Sequence, residues 1–479
     1  MNSVRQDFSG LPLDLLGPIM EQLSDSRRAL SACVLVNRSF NHAAMPLLYS
    51  VLDSRLVSKS DKTLVYHPSM TLNRRPELAQ YVRHVTETGA VHRGLTPQHP
   101  NITENTLHAL SLCTNLRSLT WIDDFQRFSG SDAVLLSFLA VVRRHPLRSL
   151  TIRTHGDLGT DAWAQLTTLT GLQRVSIWCL EGPPYLLGNG WATRLRSTLT
   201  HLELGRCAGV PNTLLFSMLS QLPLLQDIRL KGAPSNAIPR VLALLRNLRS
   251  LDTEYLVSGP LNPRLTPSAD EMATLRNLTV RTSSIDIMGP LKLWGWITMI
   301  LPRPGLETLK LHAFTLHMGH TQIPRAFILD LATTQADTLK HFIAGDAELT
   351  LADIDCLCYK FPKLETLQCL VVAADVESIT TAVEKAINLK MLRLQVHWIH
   401  VDEQPVSERL TIDQAKRWML HSKNSRLRTI GINSVIYTVR SFLVSVTHPD
   451  LFVQGKWSLE EQSLKFNVIT DVEGDKWNT

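Results

Sequence analysis

The residues of this chain with chemistry to offer are its cysteines and two short clusters of histidine. Cys356-x-Cys358, with Cys369 a little further on, has the donor type of a zinc site, but zinc-binding cysteine pairs are spaced by about two to four residues. A single intervening residue inside the helix-like phrase TLADIDCLCYKF predicts thiols packed in a core instead. His312, His317 and His320, and His397 with His400, fall at strand edges or in polar connections without carboxylates at matching spacing, which predicts exposed side chains. No G-x-x-x-x-G-K-S/T, G-x-S-x-G or H-E-x-x-H phrase occurs, so the recognisable routes to nucleotide, acyl and zinc-peptidase chemistry are missing. A cysteine that carries a transferred group needs surroundings that stabilise its thiolate, and none is legible around Cys33, Cys113, Cys179, Cys207, Cys356, Cys358 or Cys369. The expectation is a protein that binds rather than reacts, with no catalytic residue, no metal and no cofactor.

Composition sets where such a protein works. Of 479 residues, 44% are hydrophobic and 19% charged, ample for a large folded core. MNSVRQDFSG lacks the apolar run of a secretory signal, and LWGWITMIL at 293 to 301 is well short of the roughly 18 residues of a membrane span. An odd number of scattered cysteines fits free thiols in a reducing compartment, so cytoplasmic and/or nuclear residence is expected and the N-x-S/T matches at Asn37, Asn101 and Asn277 are chance. A net charge of +6 and a pI near 8.9 fall short of the clustered basic stripe of a nucleic-acid binder. Arg27-Arg28, Arg74-Arg75 and Arg143-Arg144 read as solvated helix ends. Neither nucleic acid nor membrane is an expected partner.

The elements begin with a helical unit over residues 8 to 52. Leu15, Ile19 and Leu23 recur at four-residue steps beside a second row, Leu16 and Met20, which predicts a helix with a wide apolar face. Pro12 suits its first turn, where amides have no internal partner. Ser24, Asp25 and Ser26 offer cap oxygens before the apolar run Ala29 to Val36, and Asn37-Arg38-Ser39 breaks the pattern before Phe40. Two or three short helices follow, carrying more aliphatic surface than so small a unit can hide. Either a partner covers the excess or the rest of the chain does.

Leu11-Pro12-x-x-Leu15-Leu16-x-x-Ile19-x-x-x-Leu23, then Leu30, Cys33, Leu35-Val36-Asn37 and Phe40, resembles the F-box motif over about a tenth of the chain. Phe40 stands where tryptophan is more common in that family, and Asp14 where glutamate is. The resemblance implies docking to the Skp adaptor of Skp-cullin-F-box ubiquitin ligases, and through it to cullin. Leu11, Pro12, Leu15, Leu16, Ile19, Leu30, Leu35, Val36 and Phe40 would then form the docking surface and its supporting core. Sequence alone does not divide the two roles.

From residue 116 onward a phrase of the form Leu-x-x-Leu-x-Leu returns twelve times, beginning at Leu116, Leu147, Leu172, Leu199, Leu225, Leu248, Leu275, Leu306, Leu339, Leu364, Leu389 and Leu427. The starts lie 23 to 38 residues apart, and helix-like segments such as Val376 to Ile387 and Ile412 to His421 fill several gaps. Thr350-x-x-Asp353 and Thr411-x-x-Gln414 have capping-box spacing. Alternate residues of a strand share a face, so one phrase cannot bury its own leucines; stacked copies form a parallel sheet roughly 50 Å long backed by helices. The phrase is similar to the leucine-rich repeat, with Leu199-x-x-Leu202-x-Leu204-x-x-Cys207 matching its longer form, and most copies lacking the closing Asn or Cys.

The expected fold is therefore α/β: a short N-terminal helical F-box (8–52), a linker (53–80), an irregular leucine-rich-repeat solenoid of about twelve repeats (81–455) with parallel strands on the concave face and helices on the convex face, and a C-terminal cap or tail (456–479). Counting alternate positions places Arg153, Arg174, Trp178, Arg229, Lys231 and Arg281 on the outward strand face. These predict a surface for an acidic or phosphorylated protein segment anchored on Trp178, although alternating charges also simply keep an exposed sheet soluble. The combined pattern resembles the F-box/leucine-rich-repeat substrate receptors. A repeat scaffold with no ligase role and an enzyme built in the helical insertions are the rival readings.

Overall fold

The computed structural model describes residues 13–54, 57–59, 62–64, 67–95, 100–123, 133–179, 190–205, 207, 210–256, 267–282, 289–312, 315–316, 319–399, 410–420, 426–433, 435–441 and 457–463. The chain divides into two compact units, Met1–Leu224 and Leu225–Thr479.

The first unit opens with three helices, α1 (Leu13–Glu21), α2 (Arg27–Val34) and α3 (Arg38–Leu48). The Ser26 hydroxyl caps α2 by accepting from the Ala29 amide at 3.2 Å, and Asn37 caps α3 by accepting from Phe40 at 2.9 Å, satisfying amides that a helix start leaves open. Met20, Leu30 and Ala44 form the core of this module, with Leu23, Cys33, Val34, Phe40, Leu47 and Leu48 packed around them. α3 runs directly into strand β1 (Val51–Asp53), and the Arg27 guanidinium donates to the Val51 carbonyl.

Residues 53–80, expected as a linker, carry the hairpin β2 (Val57–Lys59) and β3 (Lys62–Leu64), helix α4 (Pro68–Arg74) and a 3-10 turn Pro76–Tyr81. There follow β4 (His84–Thr88), α5 (Gly89–Leu95), α6 (Ile102–Ser111), β5 (Ser118–Asp123), α7 (Ala133–Val142), β6 (Ser149–Thr154), α8 (Gly159–Thr168), β7 (Arg174–Cys179), α9 (Trp191–Leu195), β8 (His201–Leu204) and α10 (Asn212–Leu219). The sheet runs β1-β4-β5-β6-β7-β8 with every neighbouring pair parallel. Its register stacks Val85, Leu119, Leu150, Val175 and Leu202 into one buried ladder. The second residue of each phrase ties neighbouring rungs: the Arg83 carbonyl accepts from the Arg117 and Ser118 amides at 2.8 and 3.0 Å, and the Arg117 carbonyl likewise from Arg148 and Ser149.

The second unit repeats the scheme with β9 (Asp227–Leu230), α11 (Ile238–Leu244), β10 (Ser250–Glu254), β11 (Asn277–Arg281), α12 (Gly289–Ile300), β12 (Thr308–His312), the small hairpin β13 (Thr315–Leu316) and β14 (Gly319–His320), α13 (Arg325–Gln335), β15 (His341–Leu349), α14 (Leu351–Lys360), β16 (Thr366–Ala373), α15 (Val376–Val383), β17 (Met391–Trp398), α16 (Ile412–Leu420) and β18 (Thr429–Ile432). Ile228, Leu251, Leu278, Leu309, Phe342, Leu367, Leu392 and Ile430 share one fully buried ladder. β19 (Val435–Ser441) and β20 (Trp457–Ser463) turn antiparallel and end the sheet. Thr350 and Asp353 form the reciprocal capping box the spacing predicts, and Gln414 and Thr411 exchange the equivalent bonds at 2.9 and 3.3 Å.

All twelve Leu-x-x-Leu-x-Leu phrases thus fall on strands, and each unit is an α/β leucine-rich-repeat stack with helices alternating with parallel strands. Where a closing asparagine is missing, other side chains hold the turns. The Gln335 amide, fully buried, accepts from the Gly305 and Leu306 amides at 3.0 Å and donates to the Arg303 carbonyl at 2.7 Å. Among the described residues no helix is long and apolar enough to cross a membrane.

Candidate functional site

Two surfaces carry the side chains singled out by the sequence. In the helical module the structure sorts them by burial. Leu16 and Leu30 are 2% and 1% exposed, and Phe40 packs against the Met20, Leu30 and Ala44 core. Leu15 and Ile19, one turn apart on α1, are 51% and 42% exposed; Leu35 and Val36, in the turn between α2 and α3, are 85% and 58% exposed. Leu11 and Pro12 lie outside the described residues. An unpaired apolar group at the surface costs free energy that any complementary apolar partner recovers, at about 25 cal/mol per Å² covered. The module therefore has a closed core and an open aliphatic surface, and different residues serve each.

The second surface is the outward strand face, and here two expectations are corrected. Trp178 is 3% exposed. In the β6–β7 register it pairs with Arg153, whose guanidinium lies 5.7 Å over its ring, and Gly205 follows β8 one position beyond the Ile177–Leu204 pair. A Cβ on Gly205 would meet the ring at 2.6 Å, so the bare glycine lets the indole lie flat across the adjacent rung instead of projecting. Trp178 is therefore no exposed anchor.

Arg281 is 8% exposed and spent on Asp252, with Nε–Oδ1 2.8 Å and Nη2–Oδ2 2.9 Å, a bidentate pair across two strands. Glu254 stands beside Arg281 in the register and accepts from the Gly232 amide at 3.2 Å. Lys231 is half-buried, and burial lowers its pKa, opposed by Glu254 and reinforced by Arg281. Charges of both signs meet across these rungs, and the Arg281 charge is neutralised by Asp252 within the sheet. Arg174 is exposed, and Arg153 and Arg229 are half-exposed.

Of the residues first considered for metal chemistry, Cys358 and Cys369 are buried and Cys356 half-buried, on α14 and β16. Burial pushes the thiols of Cys113, Cys207 and Cys358 up to about 12, with Asp355 adding to it at Cys358, and raises Cys369 further. His312 is half-buried on β12 and His397 exposed on β17, while His317 and His400 lie outside the described residues.

A different group went unread in the sequence. His67, at the N-cap of α4, Glu87 on β4 and His92 on α5 are all buried, with ligand-type atoms within 4.8 Å of one another. Burial alone pushes the Glu87 pKa up, yet the hydrogen bonds and charges of His67 and His92 hold it below the ordinary carboxylate value. The signal was in the register: Glu87 pairs with Trp121, so a carboxylate occupies a core position of the repeat, where it demands partners.

No protein-family profile matches this chain, and no curated protein matches it. Solved structures do. Rad7 in the Rad7–Elc1 complex of yeast aligns with 83% of this chain and 88% of its own, at 13% identity and a TM-score of 0.42. The leucine-rich repeat-containing protein LegL7 of Legionella pneumophila aligns with 58% of this chain and 89% of its own, at 13% identity and a TM-score of 0.34. TLR13 in its complex with ssRNA13 aligns with 81% of this chain and 65% of its own, again at 13% identity, with a TM-score of 0.31.

Proposed function

We propose that this chain is the substrate-recognition subunit of a Skp-cullin-F-box ubiquitin ligase, holding the Skp adaptor through its N-terminal helices and a target protein through its leucine-rich repeats. The observation that carries this reading is the exposure of Leu15, Ile19, Leu35 and Val36 over a closed core, at positions that match the F-box motif. Covering those four side chains contributes on the order of 5 kcal/mol, enough to offset a useful part of the cost of association. β1 is the structural link: it leaves the module and joins the parallel sheet beside β4, so the adaptor-binding helices are tied directly to the first rungs of the repeat. The contribution to ubiquitin transfer is proximity, which raises effective concentration without a reacting side chain of its own.

On the target side, each unit offers positive charge of its own to an acidic or phosphorylated segment: Arg174 on β7 with Arg153 on β6 in the first, Arg229 on β9 with Lys231 just past that strand in the second. A repeat scaffold with no ligase role is the second reading. Recovery of tagged full-length chain from cells separates the two: the receptor brings down both Skp adaptor and cullin, and deletion of residues 8 to 52 removes both while target capture persists. A scaffold brings down targets alone.

A further inference from the structure

Glu87 is a carboxylate 4% exposed, at a core position of the first rungs. A buried anion persists only where donors or a cation replace the water it has lost. Two imidazoles converge on one of its oxygens: His67 Nε2 is 3.4 Å and His92 Nε2 3.2 Å from Oε2. Both distances exceed the roughly 2.8 Å of a hydrogen bond to an ionised carboxylate. Both match the edge of about 3.3 Å between two donor atoms that share a tetrahedral ion at bond lengths near 2.0 to 2.1 Å.

Each far nitrogen has a hydroxyl oxygen within reach. His67 Nδ1 accepts from the Ser69 amide at 3.2 Å and lies 2.6 Å from Ser69 Oγ and 3.3 Å from Thr106 Oγ1; His92 Nδ1 lies 3.2 Å from Thr103 Oγ1. An ion takes the place of the Nε2 protons that bond Glu87: with the proton on Nδ1, His92 donates to Thr103 Oγ1 and His67 to Ser69 Oγ in place of accepting from the Ser69 amide, and each Nε2 lone pair is left for the metal. Trp121 stacks on His92 at 6.1 Å and Phe138 tilts against it at 5.0 Å, giving the group an apolar wall.

We propose that His67, Glu87 and His92 bind one divalent transition-metal ion of the zinc class, with a water or other small ligand completing the coordination. Two imidazole nitrogens and a carboxylate oxygen are the donor set such ions favour over calcium or magnesium. The ion is structural: it pins the N-terminus of α4, the strand β4 and helix α5 to one point, in the segment between the helical module and the first repeats. This assignment is independent of the ubiquitin-ligase reading.

The test uses the purified full-length chain. Desalted protein carries about one zinc per chain by elemental analysis; chelator-treated protein has a lower thermal midpoint that zinc restores, and it binds cobalt(II) with visible bands that saturate at one ion per chain. Glu87→Gln and His92→Gln each lose that ion. Wild-type protein that holds no ion and gives no cobalt bands would overturn the proposal without reference to any variant, leaving a hydrogen-bonded triad, as would retention of the ion by both variants.

Discussion

Leu30 and Leu35 belong to the same three-helix module and answer to opposite forces. Leu30 is 1% exposed and Leu35 85%. Leu30→Ala is expected to cost roughly 2–5 kcal/mol in urea denaturation, through lost transfer energy and the cavity left behind. Leu35→Ala with Val36→Ala is expected to stay within about 0.5 kcal/mol of the parent chain; a loss as large as that of Leu30→Ala would show the pair to be packed in solution. The thiols divide the same way. Because burial holds Cys113, Cys207 and Cys358 near 12 and Cys369 higher, they carry almost no thiolate at about pH 8. Alkylation of folded protein, mapped on peptides, is expected at half-buried Cys33 and Cys356, with those four labelled only after denaturation. Labelling of Cys207 in the folded chain would contradict this. Single residues were the hardest scale to read from sequence. The alternation rule placed Trp178 outward correctly by count, yet a ring that size lies down wherever the adjacent rung offers a glycine, here Gly205. Glu87 is not legible in the sequence because His67 lies twenty residues away and His92 follows no recognisable pattern, and only the fold brings the three together.

At the scale of elements, the leucine phrases were legible because each strand repeats one demand, that its second and third apolar positions face the core, and the parallel register meets it rung after rung. The exceptions are where one-off chemistry replaces the repeat. Asp252 and Arg281 put a bidentate ion pair on the strand face, 6% and 8% exposed. Arg281→Ala is expected to cost about 3–5 kcal/mol by stranding the carboxylate, whereas Asp252→Leu with Arg281→Met recovers most of that loss. A double variant whose cost equals the sum of the singles would show the two charges to be uncoupled. Gly205→Ala is expected to cost about 1–3 kcal/mol and to change Trp178 fluorescence, because the new Cβ displaces the ring; combining it with Trp178→Ala removes the added cost. The hairpin and helices of residues 53–80 and the antiparallel pair β19–β20 escaped the sequence reading, since none repeats a pattern and β20, Trp-Ser-Leu-Glu-Glu-Gln-Ser, offers little apolar alternation.

For the molecule as a whole, the division of labour rests on an aliphatic surface that the helical module leaves open while each unit closes its own buried ladder of apolar side chains. That surface was legible only as a resemblance in sequence; burial then separated Leu15, Ile19, Leu35 and Val36 from the residues that support them. The direct test mixes purified full-length chain with purified Skp adaptor and follows the complex by size exclusion and calorimetry. The wild-type chain is expected to form a one-to-one complex, and the Leu35→Ala, Val36→Ala chain, folded to the same midpoint, to lose it. Wild-type chain that elutes free of the adaptor, or a double variant that binds it as tightly as the parent, would contradict the account.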